Sequence, residues 1–405
     1  MLDTIFSEKQ ILTDAESLQI WGKDWTNGYP VDPRAIVFPE TTEQVQALVA
    51  YAISEGLKLV PSGGRTGLSG GAVASNSEVV VSFDRMNKIL DYSAEDRIVT
   101  CEPGLVTANL QQFALEQGLY YPVDFASSGS SQIGGNVATN AGGIKVIRYG
   151  LTRDWVAGMK VVTGTGALLD CNAGLVKNAT GYDFRHLLIG SEGTLGLMCE
   201  LDMRLAPMPE PQSVMVVGVP QVADLLKILH AFADQITLSA FEFFSDLALA
   251  KVQAHRDLAA PLAESVAYYA LLEFDQSSLT LAEEAFAQCM DAGWLVDGVV
   301  SQSEAQAKSL WQLREGISES LAAYTPYKND LSVRISEVPG FLADVDRYVS
   351  ESYPEFEVCW YGHIGDGNLH LNILRPEDMS VEEFFEHGHG TVSYTHLTLP
   401  TTPYV

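Results

Sequence analysis

Three glycine-rich segments constrain this chain more than any other feature: SGGRTGLSGG at 62–71, SSGSSQIGGNVATNAGG at 127–143 and GSEGTLG at 190–196, each placed after a short apolar run. A glycine costs chain entropy and buries no side chain, so this density has to serve something that the backbone approaches closely. Backbone N–H groups in such turns suit a pyrophosphate. The chain contains no G-x-x-x-x-G-K-[ST], and none of the loops keeps the G-x-G-x-x-G spacing with a downstream acidic residue. Neither a P-loop nor a Rossmann site is expected, and a nucleotide has to be held by another architecture.

The 405 residues are too many for one ordinary core, so two or three domains are expected. Thr41 and Gln44 form a capping box ahead of Val45, Leu48, Val49, Ala52 and Ile53, which predicts a helix that Gly56 ends. Strands are predicted at 57–61, 78–83 and 98–104, with a helix over 108–117 stopped by Gly118. The proline-rich stretch LAPMPEPQ at 205–212 marks a boundary. Beyond it, helical patterns at 224–235, 282–290 and 304–321 alternate with strands at 215–220 and 268–274, which predicts a separate α+β domain. The domains expected are therefore 1–208 and 209–391.

Charge narrows the partners. Lys and Arg number 24 against 52 Asp and Glu, a net −28, which makes nucleic-acid binding electrostatically costly. An anionic substrate would need a few locally placed cations, so individual Arg and Lys residues become informative. Five scattered cysteines without a C-x-x-C pair read as free thiols in a reducing compartment. The N-terminus has no signal-peptide pattern and no run reaches the roughly 18 apolar residues of a membrane span, so a cytoplasmic protein is expected.

FEVCWYGHIGDGNLHLNIL at 356–374 carries the most specific chemistry. Two strand-like runs flank Asp366-Gly367, a preferred two-residue hairpin turn, and in that register His363 faces His370 and Tyr361 faces Asn372. Opposed residues have Cβ atoms about 4.5–5.5 Å apart, close enough for two imidazoles to share a divalent ion. Two ligands make a weak site, so a third, a carboxylate, is expected from elsewhere.

The segments PSGGRTGLSGG at 61–71, SSQIGGNVATNAGG at 130–143 and NATGYDFRHLLIGSEGTLG at 178–196 resemble the FAD-binding domain of the vanillyl-alcohol-oxidase (PCMH) type. The resemblance implies an α+β fold: a two-subdomain FAD-binding domain followed by an α+β substrate or cap domain. It implies flavin contacts from Pro61, Ser62, Gly63, Gly64, Arg65, Thr66, Gly67, Leu68 and Ser69 on to Gly71. It extends them to Gly129, Ser130, Ile133, Gly134, Gly135, Asn136, Thr139, Asn140, Gly142 and Gly143, and to Glu192 and Gly193. Some members of that type attach flavin through a loop histidine. The 62–71 loop has none, with Arg65 and Thr66 at its centre, so non-covalent FAD is expected.

The G-H-x-G-D-G-N-x-H pattern of 362–370 resembles the metal-binding signature of FAD-linked D-2-hydroxy-acid dehydrogenases, a likeness that runs over nearly all of residues 10–391. It implies His363 and His370 as ligands of a divalent ion, zinc being the first choice. It also implies that Arg314, Ser318, Lys328 and Asn372 bind substrate. Among the D-lactate, glycolate and D-2-hydroxyglutarate branches it favours the last, with an electron-transfer flavoprotein or a quinone as acceptor and a homodimer allowed. The alternatives are a D-lactate or glycolate dehydrogenase and a non-catalytic flavin-binding subunit.

The family's remaining ligand and its catalytic histidine lie in an Ala-Glu-His-Gly segment some tens of residues past the hairpin. Glu386-His387-Gly388 looks similar but extends the helical run VEEFFEH only 16 residues after His370, and it reads as a helix end. The stretch VSYTHLTLPTTPYV at 392–405 resembles a translated sequencing adapter, so the natural chain is expected to continue differently after about residue 391. The catalytic base is therefore unassigned, and this chain is expected to bind FAD yet turn over poorly.

Overall fold

The computed structural model describes residues 2–26 and 29–386. His387, Gly388 and the 392–405 stretch lie outside the described residues. Helices and sheets mix throughout, and the chain divides into two units. One holds residues up to Gly143 and Tyr149–Met208; the other holds Ile144–Arg148 and the chain from Pro209 onward.

In the first unit, β1 (Ile11–Leu12), β2 (Ala35–Val37), β3 (Leu59–Ser62) and β4 (Val79–Ser82) form a sheet in the order β1-β2-β4-β3, with β2 and β3 parallel to β4. Helix Thr42–Glu55 connects β2 to β3. Thr41 Oγ1 accepts the Gln44 N–H at 3.3 Å, and Gly56 ends the helix at φ 66°. The Gln44 carboxamide reaches back to the N–H of Glu40 rather than to that of Thr41, so the box closes one residue early. Val45, Leu48 and Val49 are buried with Val79 and Val81 of β4, each worth about 1.5–3 kcal/mol of burial.

A second sheet joins β5 (Ile89–Ser93), β6 (Ile98–Cys101), β8 (Val156–Thr163), β9 (Leu168–Cys171) and β10 (Gly196–Arg204) in the order β5-β6-β10-β8-β9. A short ladder pairs β7 (Leu119–Tyr120) with β11 (Ala206–Pro207). The first glycine segment leaves the end of β3, the second contains helix Ile133–Thr139, and the third leads into β10.

The second unit is built on seven strands: β12 (Gln212–Val219), β13 (Leu238–Ser245), β14 (Tyr268–Asp275), β15 (Asp297–Val300), β16 (Tyr327–Ser332), β17 (Glu357–His363) and β18 (Asn368–Leu374). Their order is β15-β12-β14-β13-β17-β18-β16, and every ladder is antiparallel. Period-two alternation sends Phe241, Phe243, Trp360, Leu369, Leu371 and Ile373 to one face, where the larger core lies. The other face packs Phe244, Cys359 and Tyr361 against Trp311, Leu313, Ile317 and Leu321 of the 304–321 segment. Ile144–Arg148 is held in this unit by Lys145 on Glu273 (3.0 Å) and by Arg148 on Asp275 (2.7 Å) and Ser239 (2.8 Å).

Two sequence expectations need correction. The 304–321 helix is interrupted at Gly316 into Glu304–Glu315 and Ile317–Leu321, with Arg314 buried and Ser318 exposed. The hairpin turn is not the two residues Asp366-Gly367. Residues 364–367 form the loop, His363 pairs with Asn368 and Tyr361 with His370. Gly365 N–H donates to Phe241 O on the neighbouring strand, and the N–H groups of Asp366 and Gly367 both reach His363 O at 3.1 Å. These bonds favour the longer loop. The register moves by two residues, so every side chain keeps its face.

Candidate active site

The first unit contains a cavity of about 280 Å³ between the three glycine segments. Its lining includes Pro61, Ser62, Gly63, Gly64, Arg65, Thr66, Gly67, Ser69, Gly134, Gly135, Asn136, Thr139, Gly142, Glu192 and Gly193 from the sequence expectation. Two glycines show why the loops can close around it. A Cβ on Gly193, at φ 78°, would stand 2.2 Å from Pro61 Cγ, and one on Gly64 would stand 2.2 Å from Ser130 O. By contrast a Cβ on Gly135 would meet nothing within 4 Å. Ser62 Oγ and Gln132 Oε1 are buried at this cavity without a hydrogen-bond partner among the described residues. Unspent polar atoms and bare backbone fit a polar, extended cofactor such as FAD.

The other expected contacts lie around the cavity rather than on it. Leu68 is 71% exposed, and Ile133 is in the core with its N–H on Leu105 O. Asn140 caps helix Ile133–Thr139 in the left-handed region, and its side chain accepts the Arg153 N–H at 3.1 Å. Gly143 packs against Asp124 O, Ser130 O backs Gly64, and Gly129 has open space at its Cα. Arg65, at φ 58°, stacks 4.1 Å over Trp21 and pairs with Asp84 at 3.5 Å. Sequence reasoning missed Asp24, which lines the cavity and holds the first loop by accepting the Gly70 N–H at 2.9 Å. No local pattern marks it. Gln132, also missed, stands inside a quoted glycine segment.

The second unit gathers the remaining candidates on one face of its sheet. Tyr361, His370 and Asp330 are neighbours across β17, β18 and β16, and Cys359, Asn372 and Lys328 form the next such row. Phe243 pairs with Gly362 and Phe244 with Tyr361, and continuing that register by one residue sets Glu242 beside His363. The His363 and His370 rings are diagonal neighbours, centroids 5.1 Å apart and nearly perpendicular. Each turns its Nδ1 to a carboxylate: His363 to Glu242 Oε1 at 2.7 Å, His370 to Asp330 Oδ1 at 3.3 Å. In a neutral imidazole this leaves Nε2 as the lone-pair donor, the state a metal ligand needs. Burial, together with Arg314 and the neighbouring His363, lowers the pKa of His370, although Asp330 opposes this. Among the described residues no three His, Cys, Asp or Glu side chains stand as a ligand group.

The cations flank the imidazoles. The Arg314 guanidinium lies 4.8 Å over the Tyr361 ring, with Nη2 2.7 Å from Glu242 Oε2. The approach is close but off the hydrogen-bond direction, so Arg314 Nε and Nη2, both buried, have no aligned acceptor among the described residues. Asn372, also buried, has an unpartnered Oδ1. Lys328 Nζ meets Ser318 Oγ at 3.5 Å, and crowding around its ammonium lowers its pKa, although much of the residue is exposed. Burial resists ionisation of Glu242, but its contacts with His363 and Arg314 outweigh it and hold the carboxyl below its usual range. Sequence reasoning missed Glu242. Its signal is an acidic residue inside the apolar strand run LSAFEFFS.

Residues 33–172 match the FAD binding domain family, and residues 208–394 match the C-terminal domain of FAD linked oxidases. A D-2-hydroxyglutarate dehydrogenase of Stutzerimonas stutzeri is 58% identical over 95% of this chain and 83% of its own length. The chain belongs to the D-2-hydroxyglutarate dehydrogenase family. Family members reach further: the mitochondrial enzyme of Arabidopsis thaliana is 36% identical over 92% of this chain and 68% of its own length. Two solved structures share the fold at 16% identity. An alkyldihydroxyacetonephosphate synthase has a TM-score of 0.76 over 98% of this chain and 78% of that one. p-Cresol methylhydroxylase with substrate bound has a TM-score of 0.75 over 97% and 85%. These likenesses establish the PCMH-type flavoprotein fold for this family member, an FAD-dependent dehydrogenase. Among its described residues no helix is long and apolar enough to cross a membrane.

Proposed function

We propose that this protein oxidises D-2-hydroxyglutarate to 2-oxoglutarate, with non-covalent FAD in the glycine-lined cavity and a divalent ion, zinc being the first choice, at His363 and His370. One observation carries the reading: Arg314, 6% exposed, keeps buried N–H donors without an aligned acceptor beside two imidazoles whose Nδ1 atoms are already engaged. A buried guanidinium with unspent donors suits an anion, and its fork suits a carboxylate. Lys328, two strands from β17 on the edge strand β16, supplies a second cation, as a dicarboxylate requires. Asn372 Oδ1 offers an acceptor to the substrate hydroxyl. No His, Cys or Tyr is among the described residues lining the cavity, which supports a non-covalent cofactor.

Bound FAD supplies the hydride acceptor, and a bound divalent ion supplies the Lewis acidity that lowers the pKa of the substrate hydroxyl. Arg314 and Lys328 fix the two carboxylates and so orient the carbinol carbon. His363 and His370 present Nε2 lone pairs as two metal donors, and a complete site takes a third. Electrons leave to an electron-transfer flavoprotein or a quinone. Five buried free thiols suit a reducing, cytoplasmic setting.

The test is anaerobic flavin bleaching at about 450 nm when D-2-hydroxyglutarate is added to the FAD-loaded protein. Bleaching that a chelator blocks and zinc restores is expected. An FAD-loaded protein that no D-2-hydroxy acid reduces would end the reading. Lys328→Ala is expected to raise KM for D-2-hydroxyglutarate about 10-fold or more, the loss of a charged hydrogen bond, while D-lactate oxidation changes far less. An equal loss on both substrates would remove Lys328 from dicarboxylate recognition.

A further inference from the structure

We infer that Glu242 is a positioning residue for both halves of this site: one buried carboxylate sets the tautomer and ring orientation of His363 and holds the guanidinium of Arg314. The inference rests on the two-histidine metal reading above and goes beyond it. Glu242 is 1% exposed in the middle of β13, a strand otherwise lined by Phe241, Phe243 and Phe244. A lone acid in that setting is costly unless both oxygens are compensated. Each oxygen has one cationic or polar partner, and both belong to the proposed site: Oε1 is 2.7 Å from His363 Nδ1, and Oε2 is 2.7 Å from Arg314 Nη2.

The chemistry follows from the donor inventory. A carboxylate can only accept, so His363 Nδ1 carries the hydrogen and Nε2 is left with its lone pair. A ring held in this way is both oriented and made a better donor to a metal. The second oxygen draws the guanidinium against the Tyr361 ring, which leaves the remaining N–H groups of Arg314 for a substrate carboxylate. His370 has a weaker version of the same arrangement, because Asp330 is 3.3 Å away and largely exposed. Glu242 therefore joins the metal half of the site to the carboxylate half through one side chain.

The test reads metal binding and tautomer, not turnover alone. Histidine ring ¹⁵N shifts of the metal-free, FAD-loaded protein at about pH 8, above the ordinary imidazole titration range, are expected to give His363 as the Nδ1–H form. The Nε2–H form in the unmodified protein would overturn the proposal without any variant. Glu242→Gln, whose carboxamide can accept or donate, is expected to mix the two forms and weaken zinc binding about 10–100-fold in competition with a chelator, with flavin content unchanged. Zinc affinity within twofold of the unmodified protein would overturn it. His363→Ala separates the two levels: it is expected to abolish tight zinc binding, and if zinc still binds as before, the two-histidine reading itself fails.

Discussion

Gly193 is held at φ 78° with Pro61 where a Cβ would stand, so Gly193→Ala meets both backbone strain and a clash. A cost of about 1–3 kcal/mol is expected, with less flavin per chain, read from the ratio of absorbance at about 450 and 280 nm. Unchanged flavin content would show that the third loop tolerates the shift. Asp346 tests burial on the far face of the sheet. Its carboxylate accepts the Trp360 indole N–H at 2.6 Å, and burial raises its pKa despite that bond. Folding therefore favours the protonated acid. That contribution is fully present below the ordinary value near 3.8 and is lost as pH rises through the higher folded value. Asp346→Asn keeps an acceptor for Trp360 and is expected to raise Tm at neutral pH, with the gain fading in acid. A gain that does not depend on pH would rule out this origin. At this scale the sequence marks residues whose neighbours lie within a few positions. The engagement of Glu242 with His363 and Arg314 joins residues far apart in the chain, and no local pattern encodes it.

The hairpin shows the same limit for elements. Asp366-Gly367 satisfies the rule for a two-residue turn, and the sequence carries no sign that β13 will offer Phe241 O to the Gly365 N–H. With that bond the loop takes four residues, and Gly367 adopts φ 80° with a Cβ position 2.2 Å from Val333 O. Gly367→Ala is expected to cost about 1–3 kcal/mol and to weaken zinc binding with it, because the loop sets the spacing of the two imidazoles. A lower Tm with unchanged zinc affinity would detach the turn from the site. The candidate face survived the register error because strand periodicity is two and the slip was two. The 304–321 helix was legible as an element, but its interruption at Gly316 was not, since the backbone there stays in the right-handed region at φ −69°.

The net charge of −28 belongs to the molecule as a whole. Like charges spread over one surface repel, and salt screens that repulsion. Raising ionic strength from about 10 mM to about 150 mM is therefore expected to raise Tm by roughly 2–4 °C in calorimetry. A fall in Tm would mean that surface ion pairs such as Lys160–Glu200 outweigh the net repulsion. At the same scale, Ile144–Arg148 follows the second glycine segment directly, yet it belongs to the unit that holds the histidines. Arg148 meets Asp275 through two bonds, 2.7 and 3.1 Å, and Ser239 through a third. Nothing in AGGIKVIRYG signals this, because its partners lie on strands more than 90 residues on.

Local chemistry therefore told most of what this chain is for. Glycine density marked the loops that line the cavity of the first unit, a helix cap and its glycine stop located Thr42–Glu55, and the hairpin histidines with Arg314 and Lys328 marked side chains that the second unit gathers. Those features are readable because each depends on residues close in sequence or on side-chain chemistry that does not change with context. Packing settled the hairpin register, the burial of Arg314, the transfer of 144–148 to the second unit and the place of Glu242. Each depends on hydrogen bonds or ion pairs between distant strands, whose free energy exists only once the sheet has brought them together.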